Sequence, residues 1–191
     1  MDAQNDIFST DTANIAAPMN QPDFREIFFN TFSDKANGIH YKVRGDSNFQ
    51  HDLQFLFSMI KDARFRLGDI RHDKSTVTIP LIRARWELRD AMQNLSEIPS
   101  ELRFGRVRKL QWIAKHVTLS PPFEGALFES GEAINSATVC EIDSFFIGES
   151  TYTGRDGGVE VVLTGYPGDW QLRTVLSSEL WSISVRDRRT A

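Results

Sequence analysis

A histidine beside an aspartate brings metal chemistry within reach, and the chain has the pair twice, at His51-Asp52 and at His72-Asp73. Imidazole nitrogen and carboxylate oxygen can together hold a divalent cation that activates water. A run over residues 103–116 offers a second chemistry, because Arg103, Arg106, Arg108, Lys109, Lys115 and His116 interleave with Phe104 and Trp112. Cations at that spacing can follow a phosphate backbone while a ring stacks on a base. A third set is arginine alone. Arg83, Arg85 and Arg89 alternate with Ile82, Ala84, Trp86 and Leu88, and period two puts the three guanidinium groups in one outward row of a strand. Other nucleophile and anion motifs are poorer. Cys140 stands in an apolar stretch, no serine occupies a G-x-S-x-G elbow, and Gly154, Gly157 and Gly158 enclose Asp156, a poor cradle for an anion.

The two dipeptides resemble the signature of the HD-type phosphohydrolases, in those four residues. The resemblance implies a metal-dependent hydrolase on an all-helical fold, whereas most of this chain reads as strands. By position, Asp52 falls in the first turn of a helix, where a carboxylate complements the positive end of the dipole. His72-Asp73-Lys74 falls where a hairpin turn is expected. No metal ligand and no cofactor is assigned.

The elements that must position these groups begin at Ser47. Ser47 and Gln50 fit a capping box, and Leu53, Leu56, Ile60, Ala63 and Leu67 then recur at spacings of three and four, with Phe55 and Met59 beside them. A helix this apolar belongs in the core. Gly68 is a plausible stop, although residues 64–70 also alternate as a strand would. In the next segment Val77, Ile79 and Leu81 have the opposite parity to Ile82, Ala84 and Trp86. A bulge or an edge position at Pro80 would reconcile the two halves. The competing reading is a helix through Ala84, Leu88, Ala91, Met92 and Leu95.

Elsewhere the chain punctuates itself. Residues 1–21 are polar and read as a flexible tail. Pro22 opens a second candidate helix with Phe24, Ile27, Phe28 and Phe32 on one face, followed by a short strand over 39–44. Residues 94–101 read as a loop around Pro99, 104–119 as a long, bulged strand, and 123–135 as an irregular acidic connection. Strands over 137–143, 145–152, 159–164, 170–176 and 180–186, with turns at 154–158 and 166–169, form a C-terminal meander.

The expected fold class is therefore α+β. One or two helices in the N-terminal half pack on a curved, mainly antiparallel β-sheet of roughly seven to nine strands, with residues 22–191 as a single domain behind the tail. The one cysteine rules out an internal disulfide and a cysteine-based zinc site, which fits a reducing, cytoplasmic setting. No stretch is long and apolar enough for a membrane helix. The net charge of −4 is unevenly spread: residues 61–116 carry 13 basic and 7 acidic residues, and residues 117–165 carry 1 and 8. That asymmetry is the strongest functional hint, and it favours a non-enzymatic binding module that offers a charged sheet face to another protein. Its candidate contact residues are Arg83, Arg85, Arg89, Arg106, Arg108 and Trp112. The alternative is single-stranded nucleic acid on the basic-aromatic strand, and a His/Asp metal hydrolase is third. Whether Arg106 and Arg108 lie beside the row at Arg83 separates an isolated charged face from a functional one.

Overall fold

The computed structural model describes residues 39–45, 49–85, 96–114, 117–121, 123, 137–149 and 158–188. Eleven strands and one α-helix occur among them. In chain order they are β1 (His40–Arg44), α1 (Phe49–Ile60), β2 (Arg64–Arg66), β3 (Arg71–Asp73), β4 (Thr76–Ala84), β5 (Glu97–Gly105), β6 (Val107–Ala114), β7 (Val117–Leu119), β8 (Val139–Glu149), β9 (Gly158–Tyr166), β10 (Trp170–Ser177) and β11 (Ser182–Asp187). The strands make one sheet in the order β1-β11-β5-β4-β2-β8-β9-β10-β6-β7, with β3 added on β4. Every pairing in it is antiparallel.

This overturns the α+β expectation. The molecule is mostly one large antiparallel sheet, and α1 is the single α-helix among the described residues. Two misread segments account for the difference. The apolar period of α1 stops at Ile60, after which Arg64-Phe65-Arg66 alternates as β2, and Leu67 is buried in one turn of 3-10 helix rather than on the helix face. Residues 97–101, read as a loop, open β5, where Ser100, Leu102 and Phe104 face inward. Pro99 lies just past the end of the β11–β5 pairing at Asp187↔Ser100, where its missing amide costs least, and its carbonyl accepts from the Arg188 amide at 2.8 Å. The expected tail, the helix from Pro22, the alternative helix over 84–95 beyond Arg85, and the turn residues 154–157 lie outside the described residues.

The sheet curls onto itself. β5 and β6 are joined through Arg106 alone, yet along the pairing path they are separated by β4, β2, β8, β9 and β10. Arg106 takes a left-handed φ of 65°, and at that corner the chain leaves β4 and β11 for β10 and β7. Ring packing shows the same curvature. Phe65 on β2 meets Trp170 on β10 edge-on, with centroids 5.4 Å apart. Three strand steps on a flat sheet would separate them by about 14 Å. Trp170 also stacks on Trp112, with centroids 4.8 Å apart.

Helix α1 closes the core. Leu53, Phe55, Leu56, Met59 and Ile60 are buried, Phe55 meets Tyr41 edge-on, and Phe57 stacks on Phe145. Past its end the backbone is tied to β8, with the Asp62 amide donating to the Ile142 carbonyl and the Ile142 amide to the Ala63 carbonyl. The C-terminal meander holds for β8, β9 and β10, after which β11 leaves it to sit between β1 and β5. β8 carries a register irregularity between Ile142 and Ser144. Beside it Gly165 is obligatory, since a Cβ there would collide with the Glu141 carbonyl.

Candidate functional site

The alternation of β4 does not change face. Val77, Ile79, Leu81 and Arg83 are all buried, Ile82 is 44% exposed, and the β4–β5 register runs unbroken from Thr76↔Gly105 to Ala84↔Glu97. No bulge interrupts it at Pro80. There β4 lies between its pairing with β2 and its pairing with β3, so the missing amide falls in a gap in the ladder. Arg83 accordingly is not in an outward row. It is fully buried, its Nε and Nη2 donating to Asp187 Oδ1 and Oδ2 at 2.8 and 2.7 Å, with Nη1 donating to the Ala84 carbonyl at 3.2 Å. Asp187 also accepts from the Ser100 hydroxyl at 2.7 Å and the Ile39 amide at 2.9 Å. Burial alone would push its carboxyl up, but Arg83, Ile39 and Ser100 together hold it below the usual range. The cluster ties β4, β5 and β11 to the residue before β1 and keeps the Arg83 guanidinium out of water.

The other expected contact residues do not come together either. Trp112 is fully buried against Trp170, and Phe104 is buried as well. Arg85 is half-buried at the end of β4, its amide donating to the Ser96 carbonyl at 2.8 Å. Arg89 lies outside the described residues. Arg106 and Arg108 are exposed, but at the far end of the β4–β5 ladder from Arg83, seven residues or about 24 Å away. Arg106 is the corner before β6 and Arg108 lies on β6, the strand whose neighbours are β10 and β7.

A different basic surface emerges from the register. Residues directly opposite in a ladder share a face. Inward, Val43, Ile183, Phe104 and Val77 form one buried row. Outward, Lys42, Ser184, Arg103, Thr78 and Arg71 form the next, followed by His40, Arg186, Glu101 and Pro80, and on the other side by Arg44, Ser182, Gly105 and Thr76. Glu101 is engaged by both Arg188 and Arg71, Arg188's hydrogen bond doing most to hold its carboxyl below the ordinary range. Arg64 pairs with Glu97. Lys42, Arg44, Arg66, Arg103 and Arg186 are exposed cations with no carboxylate partner among the described residues. Between Lys42, Arg44 and Arg103 stand serine, threonine and glycine, while Arg186 has His40 and Glu101 as its neighbours across the ladder.

The remaining chemistry disperses. His51 is exposed on α1 and His72 on β3, while Asp52 accepts the Tyr41 hydroxyl at 3.0 Å. Burial and then Asp52 raise the Tyr41 hydroxyl above its ordinary value. Among the described residues no three His, Cys, Asp or Glu side chains stand close enough to hold a metal ion, and no helix is long and apolar enough to cross a membrane. Cys140 is buried on β8. No family model matches the chain, and the comparisons with curated proteins and with solved structures return no match.

Proposed function

We propose that this protein is a non-enzymatic binding module that docks an acidic surface of another protein on the outer face of β1, β11, β5 and β4. The observation that carries the reading is the set of exposed, partnerless cations on that face, Lys42, Arg44, Arg103 and Arg186, with Arg66 at its margin. The whole chain is acidic, so a basic face is an asymmetry that orients an acidic partner before contact. The outward rows follow one another every second residue, about 7 Å along the strands, so the sheet presents its cations at fixed spacing and low entropic cost.

Single-stranded nucleic acid would also meet the cations, but the rings expected to stack on bases, Phe104 and Trp112, are in the core. The exposed rings Phe146 and Tyr166 belong to β8 and β9, outside the four strands that carry the cations. A cytoplasmic setting belongs to the same proposal, supported by a lone thiol that is free and buried.

The test is titration of the full chain with a fluorescent oligo-glutamate peptide at rising NaCl. Binding that weakens steeply with salt supports the reading. No binding at low salt overturns it, and tighter binding of an oligo-thymidine strand than of the peptide replaces it with the nucleic-acid alternative.

A further inference from the structure

The basic face runs into a cleft of about 430 Å³ at its β2 margin. Its origin is the gap in the ladder at Pro80: β2 ends at Arg66, the chain makes its 3-10 turn over Leu67–Asp69, and pairing with β4 resumes only at β3. Pro80, Ile82, Pro99 and Val139 line it, with Arg66, Arg188 and one carboxylate, Asp69, among its polar groups. Ile82 and Val139 are 44% and 49% exposed, two of the few large apolar side chains the described surface leaves in water. They are not scattered. Arg64 stands opposite Ile82 on one side and Glu141 on the other, and Arg66 stands opposite Val139. The two apolar side chains therefore flank β2 on a diagonal, about 12 Å from each other, with the partnerless Arg66 on β2 beside Val139.

Apolar walls around a free guanidinium select a ligand with both characters. A purely acidic segment would leave Ile82 and Val139 wet, and a purely apolar one would strip water from Arg66 without replacing it. Resting on the proposed function, we infer that the cleft is the specificity pocket of the basic face and takes an aliphatic side chain set within an acidic peptide segment of the partner. A neighbouring carboxylate of that segment meets Arg66, and the rest of the segment runs over Arg186 and Arg103. The cleft is continuous with the charged face and opens on the same side of the sheet, which suits an extended peptide.

The experiment compares two fluorescent peptides, Glu-Glu-Leu-Glu-Glu and Glu-Glu-Ser-Glu-Glu, by anisotropy on the full chain and on Ile82→Ser, Val139→Ser and Arg103→Glu. The leucine peptide is expected to bind about tenfold more tightly, the effect of burying most of one aliphatic side chain. In Ile82→Ser and Val139→Ser that advantage disappears while the serine peptide is held as before. Both positions are exposed, so the folded state survives, and an unchanged thermal midpoint verifies this. Equal affinity for the two peptides, both weakened by Arg103→Glu, overturns the cleft and leaves the charged face standing. Failure of both peptides to bind overturns the two together.

Discussion

Arg83 and Asp187 face each other through two parallel hydrogen bonds of 2.8 and 2.7 Å, with both side chains almost completely removed from water. A pair of this kind is hard to break singly and easy to replace whole, since each partner alone is an uncompensated buried charge. Asp187→Asn or Arg83→Met should each cost about 3–5 kcal/mol in urea unfolding. The double change Arg83→Met with Asp187→Leu should be closer to wild type than either single variant. Additive losses in the double variant would refute the account of this pair.

The same pair sets an acid limit. The Asp187 carboxyl is held below its ordinary range, so the folded state binds that proton less readily than the unfolded chain does. Its contribution is complete above the unfolded aspartate value of about 3.9 and is lost as pH falls through the lower folded value. Urea midpoints taken from about pH 5 down to about pH 2 should fall, and fall less steeply in the Arg83→Met, Asp187→Leu variant. Glu101 acts in the same direction from a half-exposed site, so some acid dependence persists.

Trp112 should behave as core. Its ring stacks on Trp170 and its Nε1–H has no partner among the described residues. Trp112→Ala should cost about 3–5 kcal/mol. Trp112→Phe should cost much less, because it removes an unpaired buried donor along with part of the ring. Affinity of the folded Trp112→Phe protein for an oligo-glutamate peptide should equal that of wild type, as measured by anisotropy.

Cys140 is pushed up to about 12 by burial. A thiol in that state is protonated at neutral pH and closed to reagents. Ellman's reagent should leave it unmodified in the native protein and modify it in urea, at the rate of unfolding. Fast labelling of the folded chain would contradict its place in β8.

Much of the strand content was legible, and the reasons for the exceptions are particular. Lys42 and Arg44 alternate with Tyr41 and Val43, and Ser182, Ser184 and Arg186 alternate with Ile183 and Val185, so both strands announce their outward sides. What no local pattern could show is that β1 and β11 pair and carry those cations into register with Arg103. The row at Arg83 was misread because an arginine and an isoleucine at adjacent positions imply that isoleucine faces in. The implication fails when a distant aspartate, 104 residues along the chain, waits to receive the arginine. Pro80 and Pro99 misled for a related reason. Each occupies a position where the ladder requires no donor from it, and such gaps exist only once the neighbouring strands are known. The cleft was invisible for that cause too, being made by the space between two short strands.

The central claim is that the outer face of β1, β11, β5 and β4 receives an acidic partner through cations that have no other work. Its most direct test is the affinity of oligo-glutamate for wild type and for Arg103→Glu with Arg186→Glu, at low and at physiological salt. Both side chains are exposed and unpaired, so the variant should keep its urea midpoint to within about 0.5 kcal/mol. The account predicts loss of at least tenfold in affinity at low salt and little remaining salt dependence. Unchanged affinity and salt dependence in the folded variant would contradict it.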